Sequence, residues 1–291
     1  MSLARAGDKT AAMDHFTRGD LRFDVADAGP PGGDTIILLH GFPETSASWR
    51  AVTPGLAGAG FRVLAPDQRG YSPGARPAGR RAYTTAELAG DILALADQAG
   101  AERFHVVGHD WGGVVAWVLA TDHPERVRTL TVLSTPHPRA LARSMVRSSQ
   151  ALRSWYAAFF QVPVVPERVI LARGGRQFRR SLVRDGVPAD LAERYYQRMS
   201  QPGALTAALN WYRAVPLDPG AARGSATVTV PTLYVWSTRD LALGRRPAEL
   251  TSDHVTGPYR FEVLEGASHW IPEERPDDVV RLVLEQVRAY P

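Results

Sequence analysis

Residues Val106-Val107-Gly108-His109-Asp110-Trp111-Gly112-Gly113 join an apolar run to a helical pattern through a Gly-x-Asp-x-Gly turn. A strand that turns sharply into a helix needs small residues two positions either side of its apex, and Gly108 and Gly112 meet that need. The apex side chain then stands exposed above the sheet. It lies beside the backbone N–H groups that open the helix, which favour negative charge. An aspartate in that place suits nucleophilic catalysis through an ester.

The rest of the chain repeats the same alternation. Apolar runs at 35–39, 61–64, 103–107, 129–133, 232–236 and 261–264 read as strands, and helical patterns separate them. The expected fold class is α/β, with a mostly parallel central sheet and helices on both faces. Residues 16–28 read as two leading strands, with Leu21-Arg22-Phe23-Asp24-Val25 alternating like an antiparallel edge, and 28–33 as a turn. Thr84-Thr85-Ala86-Glu87 has the capping-box pattern, opening a helix with Leu88, Ile92 and Leu95 on one face and Gly100 at its end.

Between Pro136 and about Ser225 the alternation stops. These residues have helical periodicity, with interruptions at Pro163, Pro166, Gly174, Gly175, Pro188 and Pro202. The spacing predicts a core domain of 1–136 and 226–291, with an all-helical cap at 137–225 inserted over the C-terminal ends of the strands, where α/β sheets bind ligands.

At 291 residues and 44% hydrophobic composition, one large domain is expected. Zero cysteines exclude disulfides, thiolate metal sites and cysteine nucleophiles. No segment approaches the roughly 18 apolar residues of a membrane span, and 1–20 has no apolar signal core, so a soluble, cytoplasmic protein is expected. The net charge is +4, with Lys9 the only lysine. Between Arg139 and Arg223 fourteen arginines face five acids, so that stretch is nine charges positive and the remainder five negative. That asymmetry reads first as a solvated helical surface and second as steering of anionic substrates. No nucleic-acid motif accompanies it.

An aspartyl ester must be hydrolysed, which requires a base near it. Asp240 follows the strand at 232–236, and His269 follows the strand at 261–264, so both are expected on the same rim as Asp110. Asp240 would hold the His269 tautomer and balance its charge. The strand at 35–39 runs into His40-Gly41-Phe42-Pro43-Glu44, whose backbone can form half of an oxyanion hole. The N–H groups of Phe42 and Trp111 would bind the oxyanion formed when water attacks the ester. This chemistry calls for no metal and no cofactor. His137 and Asp67 are expected to be structural at the rim.

On these motifs the chain resembles the α/β-hydrolase superfamily, and within it the soluble-type epoxide hydrolases with a helical cap. The resemblance runs from about Phe16 to Tyr290. It implies that Tyr156, in Trp155-Tyr156-Ala157-Ala158-Phe159-Phe160, and Tyr212, in Leu209-Asn210-Trp211-Tyr212-Arg213, bind the epoxide oxygen. Trp155, Phe159, Phe160 and Trp270 are expected to line an apolar site for a small-molecule epoxide, in a monomer or homodimer. Ser237 departs from the commonest pattern of relatives, in which a glycine follows the tryptophan. A haloalkane or haloacid dehalogenase would use the same Asp110, His269 and Asp240 logic, and a non-catalytic ligand receptor could share the fold.

Overall fold

A computed structural model describes residues 12–146, 148–218 and 227–291. Among the described residues eight strands, β1 (His15–Arg18), β2 (Leu21–Ala28), β3 (Thr35–Leu39), β4 (Arg62–Pro66), β5 (Phe104–His109), β6 (Val127–Leu133), β7 (Thr232–Ser237) and β8 (Tyr259–Leu264), form one sheet in the order β1-β2-β4-β3-β5-β6-β7-β8. β1–β2 and β2–β4 are antiparallel, and every pair from β3–β4 onward is parallel. β1 takes the outer edge, so the alternating β2 lies one place inside it.

The inner strands are apolar on both faces because both faces are covered. Ile37, Leu39, Leu64, Val106, Leu130, Val132 and Tyr234 join one core. Ile36, Leu38, Val63, Val107, Leu133, Leu233 and Val235 join the other. Helices α2 (Thr85–Gln98) and α3 (Trp111–Asp122) cover the first face, and α1 (Thr53–Gly58) and the C-terminal helix Pro276–Ala289 cover the second.

The capping box at Thr84 does not form: Thr84 makes no side-chain cap bond. Instead the Asp218 carboxylate, from the far end of the helical stretch, accepts the Thr85 N–H. A carboxylate satisfies an orphan helix donor better than a hydroxyl and also favours the positive helix start. The pattern signalled a helix start correctly and misassigned its partner.

Between β6 and β7 lie α4 (Pro138–Met145), α5 (Gln150–Arg153), α6 (Trp155–Phe159), α7 (Val165–Arg184), α8 (Ala189–Met199) and α9 (Ala204–Ala214). Pro166 does not interrupt: it sits in the first turn of α7, where its missing N–H costs nothing. Gly174 and Gly175 do break that helix, at positive φ. The expected boundary between residues 225 and 226 lies outside the described residues.

Candidate active site

The parallel strands bring the candidate residues to one rim, because Phe42, Asp110, Asp240 and His269 each follow the C-terminal end of β3, β5, β7 or β8. Asp110 adopts φ 49° and ψ −119°, a conformation costly for any residue with a Cβ. The glycines flanking it leave no room for side chains: a Cβ on Gly108 would overlap the Gly112 carbonyl, and one on Gly112 the Leu39 carbonyl. Thr135 pins the apex from just beyond the end of β6, its hydroxyl donating to the Asp110 carbonyl at 2.7 Å.

Asp110 Oδ1 accepts the Phe42 N–H at 2.8 Å, and Oδ2 lies 3.6 Å from His269 Nε2. His269 Nδ1 lies 2.8 Å from Asp240 Oδ2, while Asp240 Oδ1 accepts the Ala242 and Leu243 N–H groups at 2.8 Å each. The sequence-predicted trio is therefore one connected chain of polar atoms. Ser237, the departure from the common pattern, donates to the Ser268 carbonyl at 2.6 Å and so ties the end of β7 to the loop that carries His269.

Burial pushes the Asp110 carboxyl up, but the His269 and His109 charges and the Phe42 N–H outweigh it, so the group sits below its ordinary value. Burial pulls His269 down, and the carboxylates of Asp240 and Asp110 overcome this and hold it well above the usual imidazole range. Each shift thus favours the charged form of the group, the carboxylate of Asp110 and the imidazolium of His269.

Over this pair the aromatic rings of α6 and α9 converge. Tyr156 and Tyr212 lie 6.1 Å apart between ring centroids, and Tyr212 is T-shaped to Trp111 at 4.9 Å, Phe160 at 4.9 Å and Phe42 at 5.6 Å. Burial raises both phenols above their ordinary value, and the Asp110 charge adds to the effect, so both remain protonated donors. Tyr83 and Tyr195 are engaged elsewhere, donating to the Pro77 carbonyl and to Glu273, and Tyr196 lies under the Arg179 guanidinium.

The expected apolar lining divides. Phe160 is buried against Phe42 and Tyr212, and Phe159 is half-buried beside it. Trp270 is buried behind His269 among Leu182, Leu191 and Tyr195. Trp155 is not brought into the cluster: it is 65% exposed, its only ring neighbour among the described residues being Phe159 at 6.1 Å. On a short helix the residue before Tyr156 points about 100° away from it, so one of the pair must face out. His137 and Asp67 hold structural bonds, His137 accepting from the Arg139 N–H and Asp67 accepting from Ser46 N–H and Arg198.

Sequence reasoning passed over a buried layer behind the trio. His109 donates through Nε2 to the His269 carbonyl at 2.9 Å, and its Nδ1 lies 2.8 Å from Glu44 Oε1. Glu44 Oε2 accepts the Gly41 N–H at 2.6 Å, so one carboxylate braces both the Phe42 loop and the backbone of His269. Burial and the Glu44 charge push Glu273 up to about 8, and its Oε1 accepts the Tyr195 hydroxyl of α8 at 2.9 Å. Glu44 and His109 stand inside the two quoted motifs, which was the one available signal.

The α/β hydrolase fold family model matches residues 34–276. The AB hydrolase superfamily protein YfhM of Bacillus subtilis is 39% identical over 91% of this chain and 93% of its own length. Epoxide hydrolase A of Mycobacterium tuberculosis is 34% identical over 91% of this chain and 94% of its own. The crystal structure of epoxide hydrolase A from Mycobacterium thermoresistibile superposes with a TM-score of 0.82 at 29% identity, covering 97% of this chain and 99% of that one. Motif, sheet order and relatives agree, and the chain belongs to the α/β-hydrolase fold family.

Proposed function

We propose that this chain is an epoxide hydrolase that converts an epoxide to a vicinal diol through a covalent ester on Asp110. The observation that carries this reading is that two phenols, Tyr156 and Tyr212, are packed together near enough to Asp110 for its charge to help keep them protonated, with His269 Nε2 3.6 Å from the carboxylate. Its relatives named epoxide hydrolases support it. In this reading residues 1–136 and 226–291 form the core domain and 137–225 the cap.

Asp110 attacks a ring carbon, the C–O bond breaks, and the departing oxygen takes a proton from Tyr156 or Tyr212. A buried phenol is a good donor here because it is neutral until the alkoxide forms. Esterification removes the negative charge of Asp110, one of the two carboxylates that keep His269 protonated, so the imidazolium proton can return to the phenolate through solvent. Neutral His269, oriented by Asp240, then takes a proton from water as the water oxygen adds to the Asp110 carbonyl carbon. The Phe42 and Trp111 N–H groups hold the oxyanion. Collapse breaks the ester C–O bond, His269 protonates the alcohol oxygen, the diol leaves, and the remaining acid proton restores the imidazolium. No metal or cofactor enters the cycle, and the substrate is a small apolar epoxide beside Phe42, Phe160 and Trp111.

The test is intact-protein mass spectrometry of His269→Gln incubated with an aryl epoxide and, separately, with a haloalkane. With hydrolysis blocked, a gain of the whole epoxide mass on the Asp110 peptide is expected. A gain of the haloalkane less hydrogen halide would make the protein a dehalogenase, and no adduct across a broad panel would make it a binding protein.

A further inference from the structure

Large apolar side chains exposed to solvent are unevenly distributed. Of twelve among the described residues, eight fall within residues 145–169, and a ninth, Leu241 at 68% exposed, adjoins that stretch because Arg153 bonds to the Asp240 and Leu241 carbonyls. Val146 is 82%, Leu152 79% and Trp155 65% exposed. Scattered apolar residues need no explanation, whereas a run concentrated on one segment marks an interaction surface.

The charge of that segment is equally one-sided. Residues 138–169 contain five arginines and one acid, Glu167, and that acid is taken by Arg213 at 2.7 Å. Arg143 pairs with Asp253 at 3.4 Å, whereas Arg153 and Arg168 are exposed and, among the described residues, Arg153 bonds only to carbonyls, which leave its charge uncompensated, and Arg168 has no ion-pair partner. A second copy of this chain would bring the same positive surface against itself, and a protein partner would have to be both acidic and apolar. An anionic lipid surface supplies negative headgroups for the arginines and a hydrocarbon boundary for leucine, valine and tryptophan.

We propose that the face formed by α5, α6 and the turn into α7 docks on an anionic lipid bilayer, with Leu152 and Trp155 entering the interface and Arg153 and Arg168 meeting the headgroups. No described helix is long and apolar enough to cross a membrane, and interfacial docking needs none. The docking face is continuous with the helix that carries Tyr156, so an apolar substrate dissolved in the bilayer would be met at the cap. The proposal itself stands without any assignment of substrate.

The experiment is co-sedimentation of the whole protein, without substrate, with vesicles of phosphatidylcholine alone and of phosphatidylcholine mixed with phosphatidylglycerol. Partitioning onto the mixed vesicles at least about tenfold stronger than onto the neutral ones is expected, falling as salt rises. A Leu152→Ser/Trp155→Ser double variant, with circular dichroism and melting matched to the parent, is expected to lose about tenfold or more of that partitioning. Equal binding to the two vesicle types, no binding to either, or unchanged binding by the folded variant overturns the proposal. So does a dimer by light scattering that the same variant converts to a monomer, which would assign the face to a second copy. Because no epoxide is present, failure here leaves the hydrolase reading untouched, and failure of the mass-spectrometric trap leaves docking untouched.

Discussion

The rim of the sheet and the helices above it hold their candidate site residues in different ways. On the rim, Asp110 and Asp240 are fixed by backbone: a strained turn and the Phe42 N–H for the first, and the Ala242 and Leu243 N–H groups for the second. Above it, Tyr156 and Tyr212 are held by rings packed edge to face with Phe160, Phe42 and Trp111. Peptide donors anchored to parallel strands cannot reorient, which suits groups that must keep a charge in place. Ring packing tolerates small adjustments, which suits the substrate-following role proposed for the two phenols. The two regions also differ in charge, nine positive in the helical stretch against five negative in the rest.

If this division is right, the largest effect belongs to the rim. Asp110→Ala is expected to lower kcat/KM by roughly ten-thousandfold or more while leaving the fold intact, since alanine keeps a Cβ and adds no new strain at φ 49°, and the substitution removes the atom proposed to attack. Steady-state turnover on an aryl epoxide, with circular dichroism as control, checks it. Retained activity would place the nucleophile elsewhere.

The phenols come next. Tyr156→Phe and Tyr212→Phe are each expected to slow ester formation by about a hundredfold to a thousandfold, as loss of one preorganised donor does. Ester hydrolysis should remain near the parent rate, because in the proposed cycle that step uses His269 and the Phe42 and Trp111 N–H groups. Single-turnover kinetics separates the two steps, and an equal slowing of both would erase the distinction between the regions.

A third effect concerns the buried layer that joins them. Glu273 is raised to about 8, so it is protonated in the folded protein at pH values where the unfolded chain has already ionised it. Its contribution to stability is therefore present below the ordinary glutamate value near ~4.3 and is lost as pH rises toward its folded value. The parent's melting temperature is expected to fall by several degrees between about pH 5 and pH 8, and Glu273→Gln to flatten that slope. An unchanged slope would remove Glu273 from the account.

The smallest effect tests the link from the helical stretch back to α2. Asp218→Ala should cost about 1–2 kcal/mol in urea unfolding, the usual range for losing a helix cap, with kcat unchanged. A loss of activity comparable to the tyrosine variants would mean that this link positions the site.

Among these features, those set by neighbours in sequence were legible from the start. The turn at Gly108-His109-Asp110-Trp111-Gly112 is decided within five residues by which of them lack a Cβ, and the order of Asp110, Asp240 and His269 after successive strands follows from apolar runs about as long as strands are. A parallel sheet then has no choice but to gather strand ends on one rim. What only the tertiary structure decided required residues far apart in the chain: Asp218 capping Thr85 across 133 positions, Trp155 turned outward while Tyr156 points in, and Glu44 meeting His109 and, through it, the His269 carbonyl. Periodicity specifies which face of an element is apolar, but it carries no information about which distant donor, acceptor or charge arrives opposite a given polar atom. That pairing is settled by packing, since a buried polar group left without a partner costs more than most local preferences can offset.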